Sequence, residues 1–156
     1  MPKPVDHVNH KADAGDVLEA VHRVMHLFRS LRHRAAAGDE PGPTHMEGKA
    51  LGFFARHPGA TLSELVAHAG RDKGQLARLV AALRERGLLE ARVDASDRRN
   101  QHLHLTGAGA DAHHALQREG RKIAQAAVRG LSEAERHSLL ELLRRVEANL
   151  EGLGDR

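Results

Sequence analysis

Cysteine, tryptophan and tyrosine are absent from this 156-residue chain, and phenylalanine occurs only at positions 28, 53 and 54. Without cysteine there is no disulfide, no thiolate metal ligand and no peroxide-reactive thiol, so any switch the chain carries is not thiol redox. With so few aromatic rings there is little to stack unpaired bases on, and a nucleic-acid partner would be a duplex. Long apolar runs are missing too. None approaches the roughly 20 residues a membrane span requires, and Met1 to Gly15 lacks the apolar stretch of a signal peptide. The expected location is therefore the cytoplasm, with no membrane partner.

What is present is enough for one core: 40% of the residues are hydrophobic, and the length suggests a single structural unit over 1–156. The formal net charge of +3 proves no partner by itself, but its placement is informative. Between Arg71 and Arg99 there are eight basic residues against five acidic ones, a surplus equal to that of the whole chain.

Five times a capping residue is followed three positions later by Glu or Gln: Asp16/Glu19, Thr44/Glu47, Thr61/Glu64, Asp72/Gln75 and Ser132/Glu135. Such pairs satisfy the free amides of a helix's first turn and mark helix starts. Apolar spacing supplies the driving force. Asp16 opens a helix whose seam is Val17, Val21, Val24, Phe28 and Leu31, suited to a partner helix. A loop of prolines and glycines over 38–43 follows, and Thr44 starts a second helix that ends before His57-Pro58-Gly59. The third helix carries Leu62, Leu65, Val66 and Ala69, the fourth Leu76, Leu79, Val80 and Leu83. Both use i, i+3, i+4, i+7 spacing and are joined by Gly70-Arg71-Asp72, the pattern of a helix-turn-helix.

After Gly87, Leu89, Ala91 and Val93 alternate with polar residues, as do Leu103 and Leu105. The segment between, Asp94 to Asn100, makes a hairpin with a charged tip, a wing. Thr106 caps a fifth helix and Ser132 a sixth, which carries Leu139, Leu140, Leu142, Leu143, Val146 and Leu150. The expected fold is mainly α, a winged helix-turn-helix with about six helices and a β-hairpin. Its DNA-binding lobe covers 44–106, and dimerisation helices flank it over 16–35 and 107–152.

If the leucines of the fourth helix are buried, Arg71, Gln75, Arg78 and Ala82 form an outward stripe. Gln75 and Arg78 can pair with adenine and guanine edges, and Ala82 permits close approach. Lys73, near the helix N-terminus, and Ser63, in the first turn of the third helix, suit phosphates. Arg98 and Arg99 at the wing tip can reach a minor groove. Asp97 is expected to orient one of these arginines, since a carboxylate facing phosphates would be repelled.

The run Asp72 to Leu89, then Asp94-Ala95-Ser96-Asp97-Arg98-Arg99, then Leu103-His104-Leu105-Thr106 resembles the DNA-binding lobe of the MarR (multiple antibiotic resistance regulator) family. The resemblance covers roughly Asp16 to Leu150. It implies that the fourth helix reads DNA, that Arg99 is the wing arginine, and that the first, fifth and sixth helices build a dimer. It also implies a repressor that releases DNA when a small ligand, often an aromatic acid, binds between the dimer and DNA-binding lobes. The chain departs from the peroxide-sensing branch in lacking cysteine, and from the zinc-sensing branch in having Lys49 where a histidine is expected.

Thirteen histidines invite a metal reading, and His22 and His26 stand i, i+4 on the first helix. No cysteine or nearby carboxylate pair completes a site, so no metal is expected. His26 and His45 are instead nominated for an anionic effector. The run Thr106 to Ala112 mimics a dinucleotide loop, but no parallel strand follows its helix, and no cofactor is expected. With no nucleophile-base or carboxylate pair in view, the chain is read as a homodimeric, ligand-responsive repressor on a near-palindromic operator rather than an enzyme. The alternatives are a metal-responsive repressor using the histidine-rich first helix and a non-specific architectural DNA-binding protein.

Overall fold

The computed structural model of the chain describes residues 13–36, 42–97 and 100–154. Along the chain run α1 (Ala14–Ala36), α2 (His45–Arg56), α3 (Leu62–Ala69), α4 (Lys73–Glu85), β1 (Leu89–Val93), β2 (Gln101–Leu105), α5 (Gly107–Ala127) and α6 (Glu133–Gly154). The architecture is mainly helical, with six helices and a two-stranded antiparallel hairpin among the described residues. The chain forms two compact units, Met1–Gly120 and Arg121–Arg156, divided inside α5. No helix of the described residues is long and apolar enough to cross a membrane.

Four of the five anticipated capping residues begin helices. Thr44 and Thr61 close full capping boxes: each hydroxyl accepts the backbone N–H three residues on, while Glu47 and Glu64 accept the cap's own N–H. Ser132 and Glu135 reproduce this exchange at α6. Asp72 accepts the Gln75 N–H at 3.0 Å and starts α4. The fifth expectation shifts by one turn. The first helix begins at Ala14 rather than beyond Asp16, and Asp16 accepts the Asp13 N–H at 3.1 Å. Asp13 offers the same spacing to Asp16 that Asp16 offers to Glu19, and Glu19 turns instead to Arg23 at 3.4 Å.

The core of the first unit joins α2, α3, α4 and the hairpin. Leu51, Phe54 and Leu83 are fully enclosed, with Phe53, Leu65, Leu76, Val80, Leu89 and Leu103 around them. Burying one such side chain contributes about 1.5–3 kcal/mol, so this cluster outweighs the caps, worth about 1 kcal/mol each. Phe53 meets Phe54 edge-on, with ring centroids 5.2 Å apart. Glu47 is buried beside this core, where it accepts from the Arg86 guanidinium at 2.8 Å and from the Thr44 N–H at 2.9 Å. The start of α2 is thereby tied to the end of α4.

Gly70 ends α3 with φ 59°, the left-handed conformation that a residue with a Cβ resists, and its N–H reaches the Val66 carbonyl. The tight turn to α4 follows at once. In the hairpin, Leu89 pairs with Leu105, Ala91 with Leu103 and Val93 with Gln101. The apolar alternation holds at the base, where Leu89 and Leu103 are buried. It lapses toward the tip, where Val93 is 55% exposed. Ala60, before α3, bridges to Leu103 and adds a third backbone partner to the hairpin.

Thr106 begins α5, donating to the Gly87 carbonyl at 2.6 Å and accepting the Gly109 N–H at 3.0 Å. Gly109 lies directly against the Leu88 backbone. A Cβ there would stand 2.0 Å from the Leu88 carbonyl oxygen, so only glycine fits. In the second unit, Leu139, Leu140, Leu142, Leu143, Leu150 and Leu153 of α6 are exposed. On α1 the same is true of Val17, Leu18, Val24, Met25, Leu27 and Leu31.

Candidate nucleic-acid interface and effector cavity

The sequence of α4 sorts its residues by face. Leu76, Val80 and Leu83 are buried in the core, and Lys73, Gln75 and Arg78 are exposed. Ala82, the fourth member of the anticipated stripe, is half-buried. Asp72 caps the helix through the Gln75 backbone, and the Gln75 side chain stays outward. Ser63 is exposed on the first turn of α3. Arg71 is exposed in that turn. The helix-turn-helix therefore exposes one serine, one glutamine and three cations, of which Arg71 also borders the cavity described below. Helix N-termini and cations together suit phosphate, and Gln and Arg suit base edges.

Of the other basic residues between 71 and 99, two are committed elsewhere. Arg86 pairs with Glu47, and Arg92 pairs with Glu90 at 2.7 Å on the same strand. Arg84 donates to the Gln101 side chain at 3.3 Å, joining α4 to β2.

The wing loop is shaped by Asp94, whose carboxylate accepts from the Ser96 N–H at 2.9 Å and hydroxyl at 2.8 Å. These bonds hold Asp94 below the usual carboxylate range. Asp97 is exposed, and its carbonyl accepts the Asn100 N–H at 3.1 Å. Arg98 and Arg99, the expected wing-tip contacts, lie outside the described residues. His102 fastens the wing to the α2–α3 connection: its Nδ1 is 2.8 Å from the Gly59 carbonyl and its Nε2 is 3.6 Å from Asp94. The Gly59 bond first, and then Asp94, raise the His102 pKa above its ordinary value.

Behind the helix-turn-helix lies a cavity of about 440 Å³ within the first unit. Arg29, Arg32 and His33 of α1 line it, with His45, Lys49 and Arg56 of α2 and Arg71 of the turn. Phe53, Leu65, Leu76, Leu79 and Leu116 supply apolar wall. Glycines on α2 set its shape: a Cβ at Gly48 would press Leu116 at 3.2 Å, and one at Gly52 would press Arg56 at 3.3 Å.

His45 lines this cavity. His26 does not; it stands with Leu18, Val21, His22, Met25 and Arg29 along a separate groove on α1. The structure thus does not bring the two nominated effector residues together. His113, which the sequence reading passed over, occupies the cavity on α5 beside Arg56. Periodicity carries no signal for such a residue, because its neighbours come from helices remote in sequence. Among the described residues, no group of three or more His, Cys, Asp or Glu is placed to hold a metal ion.

A capped helix behind a tight turn, followed by a two-stranded hairpin, is a winged helix-turn-helix arrangement. The model of the MarR family matches residues 42–100. The HTH-type transcriptional regulator PetP of Rhodobacter capsulatus is 42% identical over 62 residues, a match spanning 40% of this chain and 37% of that protein. Among solved structures, the PcaV transcriptional regulator from Streptomyces coelicolor superposes with a TM-score of 0.74 at 24% identity, over 87% of this chain and 98% of that one. PcaV has also been solved in complex with its natural ligand. Streptococcus pneumoniae FabT, solved in complex with DNA, gives a TM-score of 0.78 at 20% identity, over 90% of this chain and 99% of its own. The chain is thus similar to the MarR family over residues 42–100 and shares its fold with these solved structures over most of its length.

Proposed function

We propose that this protein is a sequence-specific DNA-binding transcriptional regulator, a homodimeric repressor released from its operator by a small anionic ligand. The observation that carries the reading is the division of α4 into a buried leucine-valine face and an exposed face bearing Lys73, Gln75 and Arg78. Lys73 and Ser63 contact phosphates, Gln75 and Arg78 contact base edges, and Arg71 stands at the entry to the recognition helix. Arg98 and Arg99 reach the minor groove, with Asp97 orienting them. Support comes from FabT, solved in complex with DNA, and from PetP, named a transcriptional regulator.

The exposed apolar residues of α1 and α6 are more than a monomer usually leaves to water, which supports their burial against a second copy. A twofold pair of recognition helices enters successive major grooves about 34 Å apart, so the operator is near-palindromic. The cavity behind the turn, with His45 in its wall, is the effector site, and the existence of a ligand complex of PcaV supports that role. His26, on α1, takes part from its own groove if the paired copies bring that groove to the ligand.

Competition binding tests the reading. A duplex recovered by selection from genomic fragments should stay bound against excess random duplex. Arg78→Ala should lose about 1–3 kcal/mol and relax preference at one base position. Equal affinity for random duplex would instead favour an architectural DNA-binding protein.

A further inference from the structure

Among the described residues, the effector cavity is lined by charge of one sign. Arg29 and Arg32 enter it from α1, Lys49 and Arg56 from α2, and Arg71 from the helix-turn-helix turn, and no described Asp or Glu lines it. Two histidines register this field. His45 is held below its ordinary pKa by burial first, then by Arg29, Lys49, Arg32 and Arg71. His113 is lowered by burial first, then by His114, Arg56 and Arg32. The cations lie toward both ends of α2 and so form two poles: Lys49 stands with His45 near its start, and Arg56 with His113 near its end, where a Cβ at Gly52 would meet both side chains.

The Arg32 Nε is buried and has no hydrogen-bond partner among the described residues. It is pressed over Gly120, where a Cβ would meet it at 3.2 Å, and the guanidinium carbon lies 5.6 Å from the Phe28 ring centroid. Buried guanidinium donors are normally satisfied, and a planar carboxylate or phosphate is the acceptor they fit best. A monoanion would offset one of five permanent charges and leave one pole unanswered. Between the poles, Phe53, Leu76 and Leu116 offer an apolar surface to the body of a ligand.

Building on the ligand-responsive reading above, we propose that the cavity selects an anion carrying two or more negative charges on a compact apolar body, one charged group at each cationic pole, in preference to a monoanion. Arg71 immediately precedes Asp72, the cap of the recognition helix, so a ligand at its pole draws this cation away from the DNA-facing side. An anion placed between His45 and His113 also favours their protonated forms. Binding therefore takes up protons, and affinity rises as the pH falls toward the ordinary histidine range. His33 and His68 line the same cavity, and their contribution is included in the measured uptake.

Isothermal titration of the full chain with benzoate and with isophthalate, at fixed ionic strength and in two buffers of different ionisation enthalpy, tests this. Isophthalate is expected to bind at least about tenfold more tightly than benzoate, the gain from one further charge-assisted pair. Net proton uptake should accompany isophthalate and shrink in the His45→Gln, His113→Gln variant. Arg32→Gln, checked for native circular dichroism, should bring the isophthalate-to-benzoate ratio close to one. A wild-type ratio near one, absence of binding by isophthalate, or absence of proton uptake would each overturn the proposal. Duplex binding by the ligand-free protein is measured separately. If it holds while the ratio is near one, only the ligand class fails; if no duplex is bound, the regulatory reading fails whatever the ratio.

Discussion

Two glycines two residues apart near the start of α5 should respond differently to alanine. At Gly109 an added Cβ would sit 2.0 Å from the Leu88 carbonyl oxygen and 2.9 Å from its carbon. Ordinary contact needs well over 3 Å, so the helix start would have to move back by more than 1 Å. That retreat also strains the Thr106 bonds to Gly87 and Gly109, which join the end of the wing to α5. Overpacking of this kind typically costs about 1–3 kcal/mol, and here the opposing atoms are backbone that cannot rotate aside. At Gly107 nothing lies within 4 Å of the new Cβ, and α5 is already helical there. Alanine at that position should be neutral or stabilise by about 0.4–1 kcal/mol through the unfolded chain. With no tryptophan or tyrosine to follow, urea unfolding is monitored by far-ultraviolet circular dichroism at one fixed protein concentration, since a dimer's midpoint depends on it. A Gly109→Ala variant as stable as wild type, or a Gly107→Ala variant that loses as much as Gly109→Ala, would refute the steric reasoning.

Glu47→Ala should destabilise by about 1.5–3 kcal/mol, because it removes both the charged bond from Arg86 and the reciprocal cap at Thr44, and an unchanged urea midpoint would contradict that. His102, whose folded pKa is raised above the ordinary histidine value, contributes stability that is fully present below that ordinary value and is lost as pH rises through the folded one. Nuclear magnetic resonance should find His102 titrating above free histidine and the hairpin amides exchanging faster once it deprotonates; titration below free histidine would count against the Gly59 and Asp94 contacts. Lys73→Ala should weaken binding to every duplex and flatten the salt slope by about one unit, and an unaltered slope would remove the phosphate assignment.

Local signals made much of the winged helix-turn-helix lobe legible. Thr44, Thr61, Asp72 and Ser132 each begin a helix, because a cap and its third neighbour are a short-range pair that no distant contact needs to complete. The buried face of α4 follows from spacing alone, and with it the outward position of Gln75 and Arg78. Where two local solutions compete, the pattern is ambiguous, and α1 begins from Asp13 although Asp16 has equal spacing. Contacts between remote elements left no trace in periodicity. The Glu47–Arg86 pair joins residues 39 apart, Ala60 bridges to Leu103, and the cavity gathers arginines from α1, α2 and the turn with His113 of α5. His26 and His45 are paired on the expectation that the loop before Thr44 brings α2 back near α1, but His26 stands nearer the start of α1, in a groove apart from the cavity that His33 lines. Gly109 likewise carries no local mark of its role, because the close approach of the Leu88 backbone is what excludes a side chain there.

The most direct test of the proposed function is a footprint of the dimer on a duplex selected from genomic fragments. Two protected half-sites, related by an approximate dyad and centred about 34 Å apart, are expected. They should fade when Lys73 and Arg78 are both replaced by alanine in a protein that still folds. Protection without a dyad, protection indifferent to sequence, or a footprint unchanged by the double replacement would contradict the assignment of α4 as the helix that reads DNA.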